Sequence, residues 1–173
     1  MNKKLIACLT LTLSLVLMTG CTAKAATSSV GTAKDGNEVK IEKAAIKLVN
    51  AVNKGGYNLV NTEDLNTMIE SGDDMIIIDT MPGDFYAKGH VPNALNAVMP
   101  KTGLADATDA EKEAFAALLG EDKTKTIVIY CGFTACGRSD AGASYAVELG
   151  YENVYRYPGG IIGWRDAGLA EEK

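Results

Sequence analysis

Thr126-Ile-Val-Ile-Tyr130, then Cys131-Gly-Phe-Thr-Ala-Cys136-Gly-Arg138-Ser139, then a helix-like run from Asp140 to Leu149 closed by Gly150, is the stretch on which the reading of this chain turns. An apolar, β-branched run of strand length that stops at a cysteine reads as a buried strand, and the Gly-containing segment after it as a loop that opens a helix. Cys131 therefore falls at the carboxyl end of a strand, close to a helix N-terminus. Unpaired N–H groups and the helix dipole favour an anion there, so a thiol ionises more readily and becomes nucleophilic. Arg138 adds a permanent cation suited to an oxyanionic substrate. Most cysteines that follow strands are small buried apolar groups. The Gly-rich loop, the second thiol and the Arg-Ser pair point instead to a reactive Cys131. The amides of Gly132, Phe133, Thr134, Ala135, Cys136 and Gly137 form the expected anion nest, Ser139 opens the helix beside it, and Phe133 suits the pocket mouth.

Outward from this stretch, the same logic marks further elements. Met75-Ile-Ile-Ile-Asp79 is a second buried strand, Val154 to Tyr157 another, and Leu59-Val60 and Ala94 to Val98 are shorter candidates. Ile41, Ala45, Leu48 and Val52 recur at helical spacing ahead of Gly55-Gly56, which predicts an amphipathic leading helix over Val39 to Lys54. Thr62 is placed to cap the helix carrying Leu65, Met68 and Ile69. Thr108-Asp-Ala-Glu111 has the form of a capping box, with Phe115, Leu118 and Leu119 on the apolar face that follows. Pro82-Gly83 and Gly89-His90-Val91-Pro92 punctuate a loop region around a short turn at Asp84 to Ala87. Trp164 lies in a final helix after Pro158-Gly159-Gly160, and Trp164 and Tyr157 read as core. Strands alternating with helices predict an α/β fold with a mostly parallel sheet covered on both faces. Ligands of such sheets sit beyond the strand carboxyl ends, where Asp79 and Cys131 both fall.

The N-terminus carries different information. Met1-Asn-Lys-Lys4, an apolar Leu5 to Leu17 and small residues before Cys21 have the form of an export signal, and Met18-Thr-Gly-Cys21 resembles the lipobox of bacterial lipoproteins with Met18 where Leu is usual. The expected organisation is a signal peptide over 1–20, a flexible tether over 21–37 starting at a lipid-bearing (palmitate-type) Cys21, and one folded domain over 38–173. That places the domain outside the bacterial cell membrane, or in the periplasm, held to the membrane by its lipid. Loss of 1–20 removes Lys3 and Lys4 and no acidic residue, so the formal charge moves from −5 to −7. Such an acidic body offers nothing to nucleic acid. Of four cysteines, Cys8 goes with the signal and Cys21 with the lipid. Cys131 and Cys136 remain, which excludes a disulfide framework and, with the single His90, supplies too few ligands for a closed structural zinc site unless carboxylates join; no metal or cofactor is expected.

Asn58 to Glu171 resembles a rhodanese domain. Asp79, Tyr86 and Gly89-His-Val-Pro92 with Ala94 and Asn96 stand where that family carries its aspartate-led loop and Gly-His-Ile-Pro-Gly-Ala-x-Asn motif, and Leu149-Gly-Tyr-x-Asn-Val154 with Gly159-Gly160 and Trp164 resembles its closing segment. The resemblance implies a five-stranded parallel sheet flanked by helices and a sulfurtransferase cysteine that carries sulfane sulfur as a persulfide. Three departures stand out. Arg138 lies seven positions after Cys131 where the family's commonest loop has five, a Cys-x4-Cys variant; Met81 replaces an arginine; and Asn93 replaces a glycine. The missing cation argues against thiosulfate as donor.

The expected roles follow. Cys131 is the nucleophile, taking sulfur from a small donor and handing it to a thiol or cyanide acceptor, with Arg138 neutralising charge. Arg138 as an exposed helix-start residue is the plain alternative. Cys136 reads two ways: a second thiol that attacks the persulfide, releases sulfide and leaves a disulfide, or a small residue facing the helix. Asp79 supports the loop by accepting amide hydrogen bonds, and His90 is structural. Competing functions are a thiol-redox protein cycling Cys131 and Cys136, and a non-catalytic binding module; no protein partner is legible. A phosphatase is disfavoured, because its Cys-x5-Arg loop is one residue shorter and no general acid follows here.

Overall fold

The computed structural model describes residues 36–173. The expected signal peptide, the lipid-bearing Cys21 and the tether up to residue 35 lie outside the described residues. Within them the elements run α1 (Glu38–Gly55), β1 (Asn58–Leu59), α2 (Thr62–Glu70), β2 (Met75–Asp79), α3 (Gly83–Tyr86), β3 (Ala94–Asn96), a 3-10 turn (Leu104–Asp106), α4 (Asp109–Leu119), β4 (Thr126–Tyr130), α5 (Arg138–Glu148), β5 (Asn153–Tyr157) and α6 (Gly160–Asp166). The five strands form one parallel sheet in the order β1-β5-β4-β2-β3. Parallel neighbours cannot be joined by tight turns, so each return is made by a crossover that lays helix over the sheet.

Period-2 alternation divides the core into two layers. Ile78, Ile127, Ile129 and Val154 face one side and pack with Phe115 and Leu119 of α4 and Ala141, Ala143 and Ala146 of α5. Ile77, Val128, Tyr130 and Tyr157 face the other, against Leu65 of α2 and Ile161 and Trp164 of α6. Trp164 stands edge-on to Tyr157 at 6.4 Å and donates its indole N–H to Ala170 O at 2.7 Å, so its polar atom is satisfied within the core. β4 lies at the centre, paired with β2 and β5, and its carboxyl end carries Cys131.

Several local expectations shift. Asn61, not Thr62, caps α2: its side chain accepts from Asp64 N at 2.8 Å, while Thr62 is the first helical residue and pairs its hydroxyl with Tyr157 Oη at 2.8 Å. The capping box of Thr108 and Glu111 is present as read. α1 exists and stops at Gly56 in the left-handed region, φ 71°. Its contact face is rotated from the stripe read in the sequence, since Ala44, Leu48, Ala51, Val52 and Gly55 are half-buried while Ile41 and Ala45 are exposed. Small residues there let the helix approach the domain; a Cβ on Gly55 would lie 2.4 Å from the Tyr57 ring. β1 and β3 are shorter or displaced relative to the expected Leu59-Val60 and Ala94 to Val98. α5 begins at Arg138, two residues earlier than the expected Asp140, and this alters which thiol lies at its N-terminus.

Candidate active site

Cys131 directly follows the last residue of β4, and the segment 132–137 arches over the sheet edge into α5. Two groups of contacts fix its base. Ile161 N donates to Cys131 O at 2.9 Å and Ile162 N to Gly132 O at 3.1 Å, so the start of α6 holds the first two carbonyls of the loop. Gly160 makes that approach possible: its φ is +59°, and a Cβ there would lie 2.4 Å from Cys131 O. Gly137 is needed for a similar reason, since its Cβ would lie 2.3 Å from Lys101 O. From above, Lys47 of α1 donates to Ala135 O at 2.9 Å.

Beneath the loop sits a residue that sequence reading missed. Arg156 of β5 is 2% exposed, and its guanidinium donates to Ser139 Oγ at 2.9 Å, Tyr57 Oη at 3.2 Å, Thr134 O at 3.1 Å and Cys136 O at 2.8 Å. Tyr57 in turn donates to Asp140 Oδ1 at 2.7 Å, placing a carboxylate one hydroxyl away from the buried cation. A guanidinium satisfies this many acceptors because its donors form a rigid fork. The signal was available: Arg156 occupies the same face of β5 as Val154, a core-facing register where a charged residue must have a purpose.

The two thiols are neighbours under this loop, near enough that each shifts the other's ionisation. Cys131 is 1% exposed; its Sγ lies 3.3 Å from Ser139 Oγ and also faces the Ser139 N–H. Burial pushes the Cys131 thiol up, and the neighbouring Cys136 adds to the effect. Cys136 is half-buried and moves the opposite way. The neighbouring Cys131 lowers it most, and the N–H groups of Arg138 and Gly132 and the Arg138 charge lower it further. Cys136 directly precedes Gly137, the N-cap of α5, so the positive end of the helix dipole acts on it as well. The ionisation expected at Cys131 therefore falls on Cys136, because the longer loop carries the second thiol to the helix terminus while the first stays sealed in the sheet.

The remaining sequence-derived residues are placed as follows. Arg138 starts α5 and donates to Met99 O, with its charge near Cys136. Phe133 is exposed at the loop crest. Asp79 accepts the Met81 N–H at 2.8 Å and hydrogen-bonds Tyr130, whose hydroxyl accepts from Val91 N at 3.0 Å; burial raises its carboxyl. Met81 lies against the loop, its sulfur 3.5 Å from where a Gly132 Cβ would sit. His90 stacks on Tyr86 at 3.8 Å and bridges to Glu172, belonging to the packing of the closing segment.

Residues 61–167 match the rhodanese-like domain family. The chain belongs to that family. Among relatives, this rhodanese-like domain is 28% identical over 107 residues, 62% of the chain and 23% of the relative, to an adenylyltransferase and sulfurtransferase of Candida albicans. It is 30% identical over 110 residues, 64% of the chain and 28% of the relative, to a tRNA uridine(34) hydroxylase of Yersinia pestis. The chain thus spans about a quarter of the length of these curated relatives. In three dimensions it is similar to a polysulfide-sulfur transferase of Wolinella succinogenes, with TM-score 0.55 and 18% identity over 80% of this chain and 93% of the other. It is also similar to a thiosulfate sulfurtransferase of Pseudomonas aeruginosa, with TM-score 0.54 and 18% identity over 75% of this chain and 22% of the other. At these identities the structural likeness establishes the fold, a five-stranded parallel sheet flanked by helices.

Proposed function

We propose that this rhodanese-like domain is an exported, lipid-anchored sulfurtransferase that takes sulfane sulfur as a persulfide on the thiol pair of its Cys131–Cys136 loop and passes it to a thiol or cyanide acceptor. The observation that carries the reading is the pair itself: two neighbouring thiols at the carboxyl edge of the sheet, with the N–H groups of Gly132, Arg138 and Ser139 facing their sulfurs. A persulfide holds negative charge on its terminal sulfur, and inward-facing amides are what such a charge requires. A relative named as an adenylyltransferase and sulfurtransferase supports the reaction class. The lipid anchor rests on Met18-Thr-Gly-Cys21.

Mass spectrometry of the tryptic peptide 126–138, which holds both thiols and excludes Cys8 and Cys21, tests the chemistry. Treatment with polysulfide leaves one sulfur on this peptide or releases it from the loop as sulfide, and both outcomes disappear when Cys131 and Cys136 are together replaced by Ser. A peptide that only loses hydrogen, with no sulfur gained and no sulfide released, supports a thiol-redox protein instead, in which the nearness of the two thiols serves disulfide formation alone. Labelled palmitate retained by the unaltered chain and lost in Cys21→Ser tests the anchor.

A further inference from the structure

We propose that Cys136 is the thiol that accepts sulfur and that the sealed Cys131 resolves it, so that the loop reduces sulfane sulfur to sulfide and is left as a Cys131–Cys136 disulfide. This rests on sulfur uptake by the loop and assigns the order of events within it.

Access decides the first step. A donor must bring its outer sulfur onto the attacking thiolate in line with its own sulfur–sulfur bond, and Cys131, 1% exposed beneath Ser139, offers no such approach. Cys136 is half-buried at the front of α5, opposite the Gly132 and Arg138 amides and near the Arg138 charge. These groups would hold a polysulfide or persulfide donor as well as the product. Cys136 thiolate attacks the donor's terminal sulfane sulfur; a bond forms from Cys136 Sγ to that sulfur, the donor's sulfur–sulfur bond breaks, and the donor's remainder leaves with the electron pair as a thiolate or shorter polysulfide.

The second step uses the nearness of the two thiols within one loop. Cys131 Sγ attacks Cys136 Sγ, forming the disulfide; the bond from Cys136 Sγ to the outer sulfur breaks, and that sulfur leaves with its electron pair and takes the Cys131 proton as HS⁻. The sulfane sulfur is reduced, the two thiols are oxidised, and an external dithiol returns the loop to its starting state by becoming a disulfide itself. Burial suits Cys131 to this role: held protonated, it stays unreactive towards outside donors, and the proton it keeps is the one the departing sulfide needs. Arg156 contributes by gripping Thr134 O, Cys136 O and Ser139 Oγ at once, which keeps the two thiols in register without touching either sulfur.

Detergent-purified full-length protein, its Cys131→Ser and Cys136→Ser variants and polysulfide as donor provide the test, read on peptide 126–138. The expected result is that Cys131→Ser gains one sulfur and retains it, Cys136→Ser gains none, and the unaltered protein releases one equivalent of sulfide while the peptide loses two hydrogens. Sulfur found on Cys136→Ser and absent from Cys131→Ser overturns the role assignment but leaves the sulfurtransferase reading standing. No sulfur in either variant and no sulfide from the unaltered protein overturns both. A second measurement needs no variant: limiting iodoacetamide on the unaltered protein labels Cys136 at least tenfold faster than Cys131, as located by peptide fragmentation, and equal or reversed labelling overturns the assignment.

Discussion

Replacing Arg156 by Met removes the cation beneath the reactive loop while keeping a side chain of comparable length. Four hydrogen bonds go with it, to Ser139 Oγ, Tyr57 Oη, Thr134 O and Cys136 O. Bonds to a charged donor contribute about 1.5 kcal/mol each at the low end of their range. Part of that loss is offset, because a guanidinium that is 2% exposed no longer has to be desolvated, a gain of several kcal/mol. The net cost is about 3 kcal/mol, a large share of the roughly 5–15 kcal/mol that holds a domain folded. With a urea dependence of about 2 kcal/mol/M, the unfolding midpoint falls by about 1.5 M. Arg156→Lys restores the charge but not the fork, so it recovers less than half of the shift. The freed loop also loses its hold on the Cys136 carbonyl, and iodoacetamide reactivity of Cys136 moves towards that of an ordinary thiol. A midpoint change below about 0.5 M for Met, or complete rescue by Lys, refutes the view of Arg156 as a multi-pronged clamp.

Other outcomes are equally accessible. Cys136 has its pKa lowered to about 5, so its alkylation rate rises with pH through about 5 and is flat from pH 7 to 8, where a model thiol still gains almost tenfold per unit. The sign for stability is the usual one for a depressed acid: the thiolate's contribution is present above the ordinary thiol pKa and is lost as pH falls through about 5, so the stability lost in Cys136→Ala grows from pH 5 upwards. Gly160→Ala forces a side chain into a position with φ +59° and onto Cys131 O; a loss of about 2–3 kcal/mol, seen as a lowered Tm, is expected, together with slower alkylation of the loop. Thr108→Ala removes a complete capping box and costs about 1 kcal/mol by urea unfolding, without effect on thiol reactivity.

The architecture was readable because its signals are local. β2 and β4 are unbroken apolar runs that no other element explains, and their boundaries match the structure. Where a boundary depends on competition between neighbours, the reading slipped: Asn61 and Thr62 are both capable caps, and only the Thr62 contact with Tyr157, across the fold, frees Asn61 for the task. α1 slipped for a related reason. Its sequence presents two overlapping apolar stripes, and the one that docks uses Ala44, Ala51 and Gly55, which close approach favours over the larger Ile41, Ile46 and Val49 left exposed. At the site, composition indicated a thiol loop beside a helix start. Which thiol the helix serves was not legible, since it depends on α5 beginning at Arg138. The register of β5 marks Arg156 as inward-facing, but what it grips was not legible: its partners, Tyr57, Thr134, Cys136 and Ser139, are scattered along the chain and converge only when the sheet is complete.

That scatter governs when the site comes into being. Tyr57 and Arg156 are separated by 99 positions, and β5 lies between β1 and β4 in the sheet. A nascent or partly folded chain that has laid down β2, β3 and β4 already possesses both thiols but has neither the guanidinium under them nor the α6 amides behind them. Non-local pairing of this kind forms late. Competence for chemistry is thus tied to completion of the whole sheet, and immature molecules carry two ordinary cysteines.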